Sequence, residues 1–514
     1  MKTRNLFLSL FAFAAICACN KEAQPEGPKV PEILDAETYI KVNIMSTGAS
    51  TRADYEYGTD EENAVKNVLF LFYGATEKPV LADGTTYTWT PDPEVSGNNI
   101  AKSATVKFKA QTEKPTSMIV VLNYDTAKEE EYREATLTEV KDLIADSYSI
   151  NDGVDYYTMT NTVYTSDASN TYDDEDVICE VELNDSNFGE TTEKGATTEV
   201  EPVNVYVERV AAKVVLTNHI DEGDVTSTVI YIDGAATPTT VTPVVVGYDV
   251  VNTPDKSYLF KKVDPEWDIT SWTKPTEFRS FWADSYASVN YVNKAYEDVH
   301  AAAGDIVVGD DNDEPYPTYV HENTLKDHTT KVILTAKLTV ADGADADSDP
   351  DILELVQYKG KYYTFAGFVA EAKEAVKSTI DLSTVELVAD PTSAYEMKLK
   401  LKDGHSLSED DALKANTALS DMVASYWDEG KCYYFTDIKH DLTDPSTSKL
   451  LSGVVRNHVY KVTLNSISGL GIPVSGGESE IIIPSEPVDK YYSLNATINI
   501  LQWKIVEQGV DFNN

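Results

Sequence analysis

Apolar and polar residues alternate with a period of two along most of this chain, the pattern of half-buried β-strands. In YIKVNIMS, residues 39–46, it places Ile40, Val42 and Ile44 on one face. ATVKFKA, TKVILTAKLTV and YEMKLKLK repeat it, and VNVYVERVAAKVVLT sustains it from Val203 to Thr217 before NHIDEGDVTST breaks in. VKNVLFLFYG and SMIVVLNY are nearly continuous apolar runs, which predict strands covered on both faces. Helical spacing is rare. SEDDALKANTALSDMVASYW has a capping box at Ser408 and Asp411, with Ala415, Leu419, Met422, Val423 and Tyr426 forming one stripe. FVAEAKEAVK predicts a second short helix, and no repeat of fixed period is present. The pattern predicts a mainly β protein: two β-sandwich domains with a few short helices.

The two ends carry different signals. MKTRNLFLSLFAFAAICACNKE has a basic start (Lys2, Arg4) and an apolar core from Leu6 to Ile16, too short to cross a bilayer, so it reads as a signal peptide. Ile16-Cys17-Ala18-Cys19 resembles a bacterial lipoprotein box in which Cys19 is acylated, and two acyl chains make a firm anchor. Residues 20–37, with three prolines and a glycine, read as a tether. At the other end, SLNATINILQWKIVEQGVDFNN sets Leu494, Ala496, Ile498 and Ile500 on one face. A shift of register at Leu501 brings Trp503 and Ile505 into phase, and Val510 and Phe512 close the chain. A long apolar tail strand needs something to pair with it.

At 514 residues the chain exceeds what one core usually supports, so two domains are expected, divided after Thr217: residues 38–217 and 218–490, followed by the tail at 491–514. A net charge of −44 argues against nucleic acid and against an anionic membrane surface as partners. A composition 42% hydrophobic with 31 tyrosines is too apolar for a disordered acidic segment. Beyond the leader only Cys179 and Cys432 remain, which read as buried thiols rather than a disulfide framework.

The search for chemistry returns little. No histidine pair has metal-ligand spacing, and no nucleophile elbow, P-loop or dinucleotide fingerprint occurs. DADSDPDILELV begins like a calcium loop but has Pro350 where the turn needs glycine and Val356 where a bidentate glutamate belongs, so it reads as a solvated acidic loop. The aromatics of YYTMTNTVY and FRSFWADSY suit core or inter-domain packing better than sugar stacking. Neither an enzyme nor a cofactor or metal site is expected.

One residue remains conspicuous. Arg52, in STGASTRADYEYGTDEEN, is the single basic side chain between Lys41 and Lys66 and one of six arginines in the chain. It follows the first strand within a series of landmarks: the lipobox, the tether, STRA, VKNVLFLF, MIVVLN, VYVERVAAKVVL, HENT, VVRNHVYKVTLNSISGLG and LQWKIVEQGVDF. In this order they resemble a fimbrillin of the Bacteroidetes type V pili, most like the minor-fimbrium (Mfa-like) stalk subunits. The resemblance implies two transthyretin-like sandwiches and a lipoprotein precursor carried to the outer membrane. It also implies cleavage by an arginine-specific protease between Arg52 and Ala53, which would remove the strand at 39–46. The expectation is then a stalk subunit that joins other copies of itself head-to-tail, together with anchor and tip subunits, in a surface pilus serving adhesion or biofilm formation. Its donor strand would present Leu494, Ile498, Ile500, Trp503, Ile505, Val510 and Phe512. The rival is a monomeric glycan-binding surface lipoprotein, which needs neither Arg52 nor the tail.

Overall fold

The structure, a computed structural model, describes residues 38–45, 58–80, 82–90, 100–110, 113–161, 180–192, 195–196, 200–218, 220, 222–262, 284–287, 290–292, 294–299, 316–340, 351–443, 450–476, 493–502 and 506–508. Strands dominate. In the N-terminal part, β1 (Thr38–Met45), β3 (Ala82–Thr90) and β4 (Ile100–Ala110) form one layer, in the order β3-β4-β1. The second layer is β2 (Val68–Tyr73), β5 (Ser117–Leu122), β6 (Met159–Asn161) and β7 (Val203–Arg209), each paired antiparallel to the next. Phe70, Phe72, Val106, Phe108, Val120 and Val205 pack between the layers, with the Phe72 and Phe108 rings stacked at 4.4 Å.

Leu69, Leu71, Ile119 and Val121 point the other way, toward Tyr132 of helix α1 (Glu129–Glu134) and Leu137 and Val140 of α2 (Leu137–Val140). That second cover is why β2 is apolar at every position and β5 at every position but Ser117, and why both are buried throughout. Leu259 and Phe260, from the C-terminal half of the sequence, complete this cluster.

The C-terminal part is a second sandwich. One sheet runs β10-β8-β13-β14-β15 and the other contains β9-β11-β12. Their ranges are β8 (Ala211–Asn218), β9 (Thr239–Val251), β10 (Tyr316–His321), β11 (Lys331–Val340), β12 (Lys431–Asp437), β13 (His458–Ser468), β14 (Ser493–Gln502) and β15 (Val506–Gln508). Val214, Leu216, Val241, Leu334, Leu338, Tyr460 and Val462 are among the residues closing its core. The change of sheet falls at Val210, earlier than the break expected after Thr217. The alternation changes phase there, from Val203, Val205 and Val207 to Val210, Ala212, Val214 and Leu216, with the polar pair Glu208-Arg209 between them.

Between β11 and β12 the chain builds a further unit, a five-stranded antiparallel sheet of residues 355–427 covered by α3 (Phe365–Val376) and α4 (Glu409–Leu419). Both helices are capped as their sequences suggest: the Thr364 hydroxyl accepts from Gly367 N at 2.9 Å, and the Ser408 hydroxyl accepts from Asp411 N at 3.2 Å. The apolar stripe read along the second helix does not continue as helix. α4 stops at Leu419, Val423 is exposed, and Tyr426 belongs to the strand Ala424–Trp427, where cross-strand pairing to Val356 overrides helical spacing. Ala415, Leu419, Met422 and Tyr426 nonetheless share one core.

Candidate functional site: an internal first strand, a folded-back tail and the junction between them

β1 lies inside the N-terminal sandwich rather than on its edge. Along one side it runs antiparallel to β4, from Thr38 opposite Phe108 to Met45 opposite Ile100. Along the other, Val42 to Met45 run parallel to Val203 to Tyr206 of β7, while Thr38 and Tyr39 meet the strand Gly189–Thr192. Among the described residues β1 is the strand that joins the layer of β4 to the layer of β7. Val42 is 0% exposed and shares its core with Ala104, Val106, Val203 and Val205. Burying one such valine contributes about 1.5–3 kcal/mol, and each ladder hydrogen bond a further ~0.5–1.5 kcal/mol. Arg52 and Ala53 fall in residues 46–57 and Cys19 in the leader, all outside the described residues.

Three other arginines can be placed. Arg209 and Arg456 are buried, and Arg133 lies within α1 with its Nε on Glu129 at 2.8 Å. A protease that needs an extended, accessible arginine finds none of these ready.

At the other end, β14 pairs antiparallel with β13, from Ser493 opposite Ser468 to Gln502 opposite His458. The chain then folds back, and β15 pairs Gln508, Glu507 and Val506 with Ile498, Asn499 and Ile500. The phase shift seen at Leu501 thus coincides with the end of a strand: the single chain satisfies its tail as a hairpin on its own sheet. Leu494, Ile498 and Ile500 are therefore brought together on β14, whereas Trp503, Ile505, Val510 and Phe512 fall outside the described residues.

Between these two ends, buried charges gather where β7 passes through Val210 into β8. Glu62, 2% exposed, receives Lys213 Nζ at 2.7 Å and the Tyr319 hydroxyl on the same carboxylate oxygen. Arg209 donates from Nε to the Glu62 carbonyl at 2.9 Å, and its other guanidinium nitrogens reach Asn63 and Asn457. Burial works against the Glu62 carboxylate, but the bonds from Lys213 and Tyr319 outweigh it and hold the group below the usual range. Burial lowers Arg209 to about 10, still charged at neutral pH. The Tyr157 and Tyr319 rings pack at 4.4 Å across the same junction, so Tyr157 of YYTMTNTVY serves packing.

Residues 425–509, from the last strand of the helix-covered unit to β15, match the family described as major fimbrial subunit protein type IV, fimbrillin, C-terminal. The match is confined to the C-terminal region of this chain. A comparison with curated protein sequences gives no match. Among solved structures the chain is similar to a candidate cell-adhesion protein from Bacteroides eggerthii, at 13% identity and TM-score 0.37, covering 94% of this chain and 100% of that one. It is also similar to one from Parabacteroides distasonis, at 14% identity and TM-score 0.37, over 94% and 99%. A C-terminally truncated form of the tip fimbrial protein Mfa3 from Porphyromonas gingivalis aligns at 10% identity and TM-score 0.31, over 91% and 100%.

The landmarks HENT and VVRNHVY prove to be one contact. Asn323 and Val454 exchange backbone hydrogen bonds at 2.8 Å. Arg456, 0% exposed, meets Glu322 through Nε and Nη2 at 3.3 Å, while its backbone N–H donates to the same carboxylate at 3.1 Å. The guanidinium also donates to the carbonyls of Leu259 at 3.0 Å and Tyr258 at 2.7 Å, on the segment that packs into the N-terminal part. His321, beside it, is lowered to about 4, first by burial and then by the Arg456 charge. Cys432 is buried at the centre of its sandwich, where burial pushes the thiol up, and Cys179 lies outside the described residues.

Neither pattern nor motif singled out Glu62 or Tyr319, and Lys213 and Asn457 lie inside the landmarks VYVERVAAKVVL and VVRNHVY without standing out there. The available signal was the pair Glu208-Arg209 inside an otherwise apolar run. Replacing Arg456 with methionine is expected to cost about 3–5 kcal/mol, because Glu322 is left buried without its counter-charge. Adding Glu322→Gln should recover part of that loss. Chemical denaturation of the single and double variants measures both, and equal midpoints for wild type and Arg456→Met would show that the pair contributes nothing.

Proposed function

We propose that this chain is a fimbrillin, a stalk-type pilus subunit exported as a lipoprotein through Cys19, cut after Arg52 by an arginine-specific protease, and polymerised by strand exchange. The observation that carries the reading is the internal position of β1. A cut in residues 46–57 frees a strand that is hydrogen-bonded on both sides, and its departure leaves a slot walled by β4 and β7 and floored by the core that held Val42. A strand from a neighbouring subunit can refill such a slot by β-augmentation if it runs antiparallel to β4 and parallel to β7. The tail from Leu494 to Phe512 has the alternation to do so, once the three pairings that hold β15 open. Slot and tail belong to opposite parts of the subunit, so the contact is head-to-tail and builds an open filament. Anchor and tip subunits would close its ends, and the lipid would hold the precursor at the outer membrane.

The test is limited trypsin treatment of the purified chain, followed by N-terminal sequencing and electron microscopy. A product beginning at Ala53 that forms filaments, from a precursor that does not, is the expected result. A stable product that retains Thr38, or filaments from uncut protein, contradicts the reading. Loss of fatty-acid labelling in Cys19→Ala checks the anchor separately.

A further inference from the structure

The turn of residues 58–63 begins six positions beyond Arg52, and it is fastened to both parts of the molecule. Its local geometry resembles a helix N-terminus: Thr59 N donates to the Glu62 carboxylate at 2.7 Å, and Glu62 N donates to the Thr59 hydroxyl at 3.2 Å. The Asn63 side-chain amide ties back to the carbonyls of Gly58 at 2.7 Å and Thr59 at 2.9 Å. A Cβ on Gly58 would sit 2.7 Å from Glu62 Oε2 and 2.8 Å from Arg209 Nη2, so the backbone itself is drawn against the charged cluster. Outward from this turn, Arg209 comes from β7, a wall of the slot, whereas Lys213 and Tyr319 come from β8 and β10 of the C-terminal sheet.

We propose that Glu62 and Asn63 form a clasp that holds the chain just downstream of the processing loop on the junction between the two sandwiches. Cleavage then releases β1 alone: the new chain start stays fastened beside β7, and the two sandwiches keep one relative orientation. The reason is geometric. Without the clasp, residues 53–67 would be free to follow the departing strand or to lie across the open slot, in competition with an incoming donor. With it, the slot is emptied while its wall strand remains stapled to β8 and β10. Downstream, a second set of bonds continues the fastening: Lys66 N donates to Asn123 Oδ1 at 2.7 Å, and Asn123 Nδ2 donates to the carbonyls of Ala64 and Tyr157 at 2.8 Å.

The clasp rests on the reading that the chain is cut after Arg52, so its test has an arm that needs no cleavage. In the uncut chain, spin labels on an exposed site of each sandwich report the spread of inter-domain distances. A single narrow distribution is expected for wild type, and a broadened one for Glu62→Gln/Lys213→Met, which removes both charges together. Asn63→Ala, which deletes the Arg209 contact without burying a lone charge, serves if the double variant does not fold. The second arm follows hydrogen exchange at the amides of Thr59, Glu62 and Asn63 before and after cutting, at Arg52 or at a site for another protease placed within residues 46–57. Protection unchanged within about twofold in wild type, and reduced at least tenfold in the variants, supports the clasp. Loss of protection on cutting the wild type, or an unchanged distance distribution in both variants, overturns it. A chain that resists trypsin at Arg52 but behaves as expected when cut at the inserted site counts against the processing reading and in favour of the clasp.

Discussion

Removing residues 500–514 is expected to leave a folded, cleavable monomer that assembles into no filaments. Of the ten register pairs between β14 and β13, the truncation takes three, at Ile500, Leu501 and Gln502, and leaves seven. It also removes β15 entirely, with Trp503, Ile505, Val510 and Phe512. The sheet therefore keeps most of its last strand, while the tail is too short to fill a slot in a neighbour. Far-UV circular dichroism and a cooperative melt establish folding, and electron microscopy after cleavage reads assembly. Long filaments from the cut, truncated chain would remove the tail from the mechanism. Engineered cysteine pairs give the complementary result: a cysteine near the chain end and one on β4 should cross-link between subunits and never within one.

Much of this was legible in the sequence because the relevant information is periodic. Ile40, Val42 and Ile44 announced a strand by alternation, and VLFLFY announced one covered on both faces. What the pattern did not carry is partnership. Alternation gives β1 an inward face but cannot say that it lies between β4 and β7, since either neighbour satisfies the same period. VNVYVERVAAKVVLT reads as one run, although its phase changes at Glu208-Arg209 and Val210 divides it between two sheets. The tail read as a long strand with a register fault, and the fault proved to be where the single chain turns back to pair with itself. Charge was least legible of all. Glu62 stands in TDEEN, in a chain with 86 acidic residues, and nothing local separates it from its solvated neighbours. Its burial is set by Lys213 and Tyr319, which arrive from strands about 150 and 260 positions away in sequence, a separation beyond the reach of local propensity. The landmarks HENT and VVRNHVY were legible as motifs, but that Glu322 and Arg456 belong to one buried pair needed the fold.

Fastening β1 to its neighbour is expected to abolish assembly even after the chain has been cut. Val42 and Ala104 are direct antiparallel partners and both belong to the buried core face, 0% and 1% exposed. Directly opposed Cα atoms on antiparallel strands lie about 4.5–5.5 Å apart, within the range a disulfide spans. Val42→Cys/Ala104→Cys, in a Cys179→Ser background and without residues 1–19, should therefore cross-link on oxidation. The remaining Cys432 thiol is buried, with a pKa raised by that burial, and should stay inert. Trypsin should still cut the oxidised protein after Arg52, but the severed strand cannot leave: its slot remains filled by a strand joined covalently to β4. The oxidised, cut protein should then run as a monomer, and reduction should restore assembly in the same sample without any further change. Because one protein passes through both states, a folding defect cannot imitate this outcome; a misfolded chain would fail to assemble after reduction as well. Filaments formed by the oxidised, cut protein would show that the slot left by β1 is not where a neighbour's strand enters.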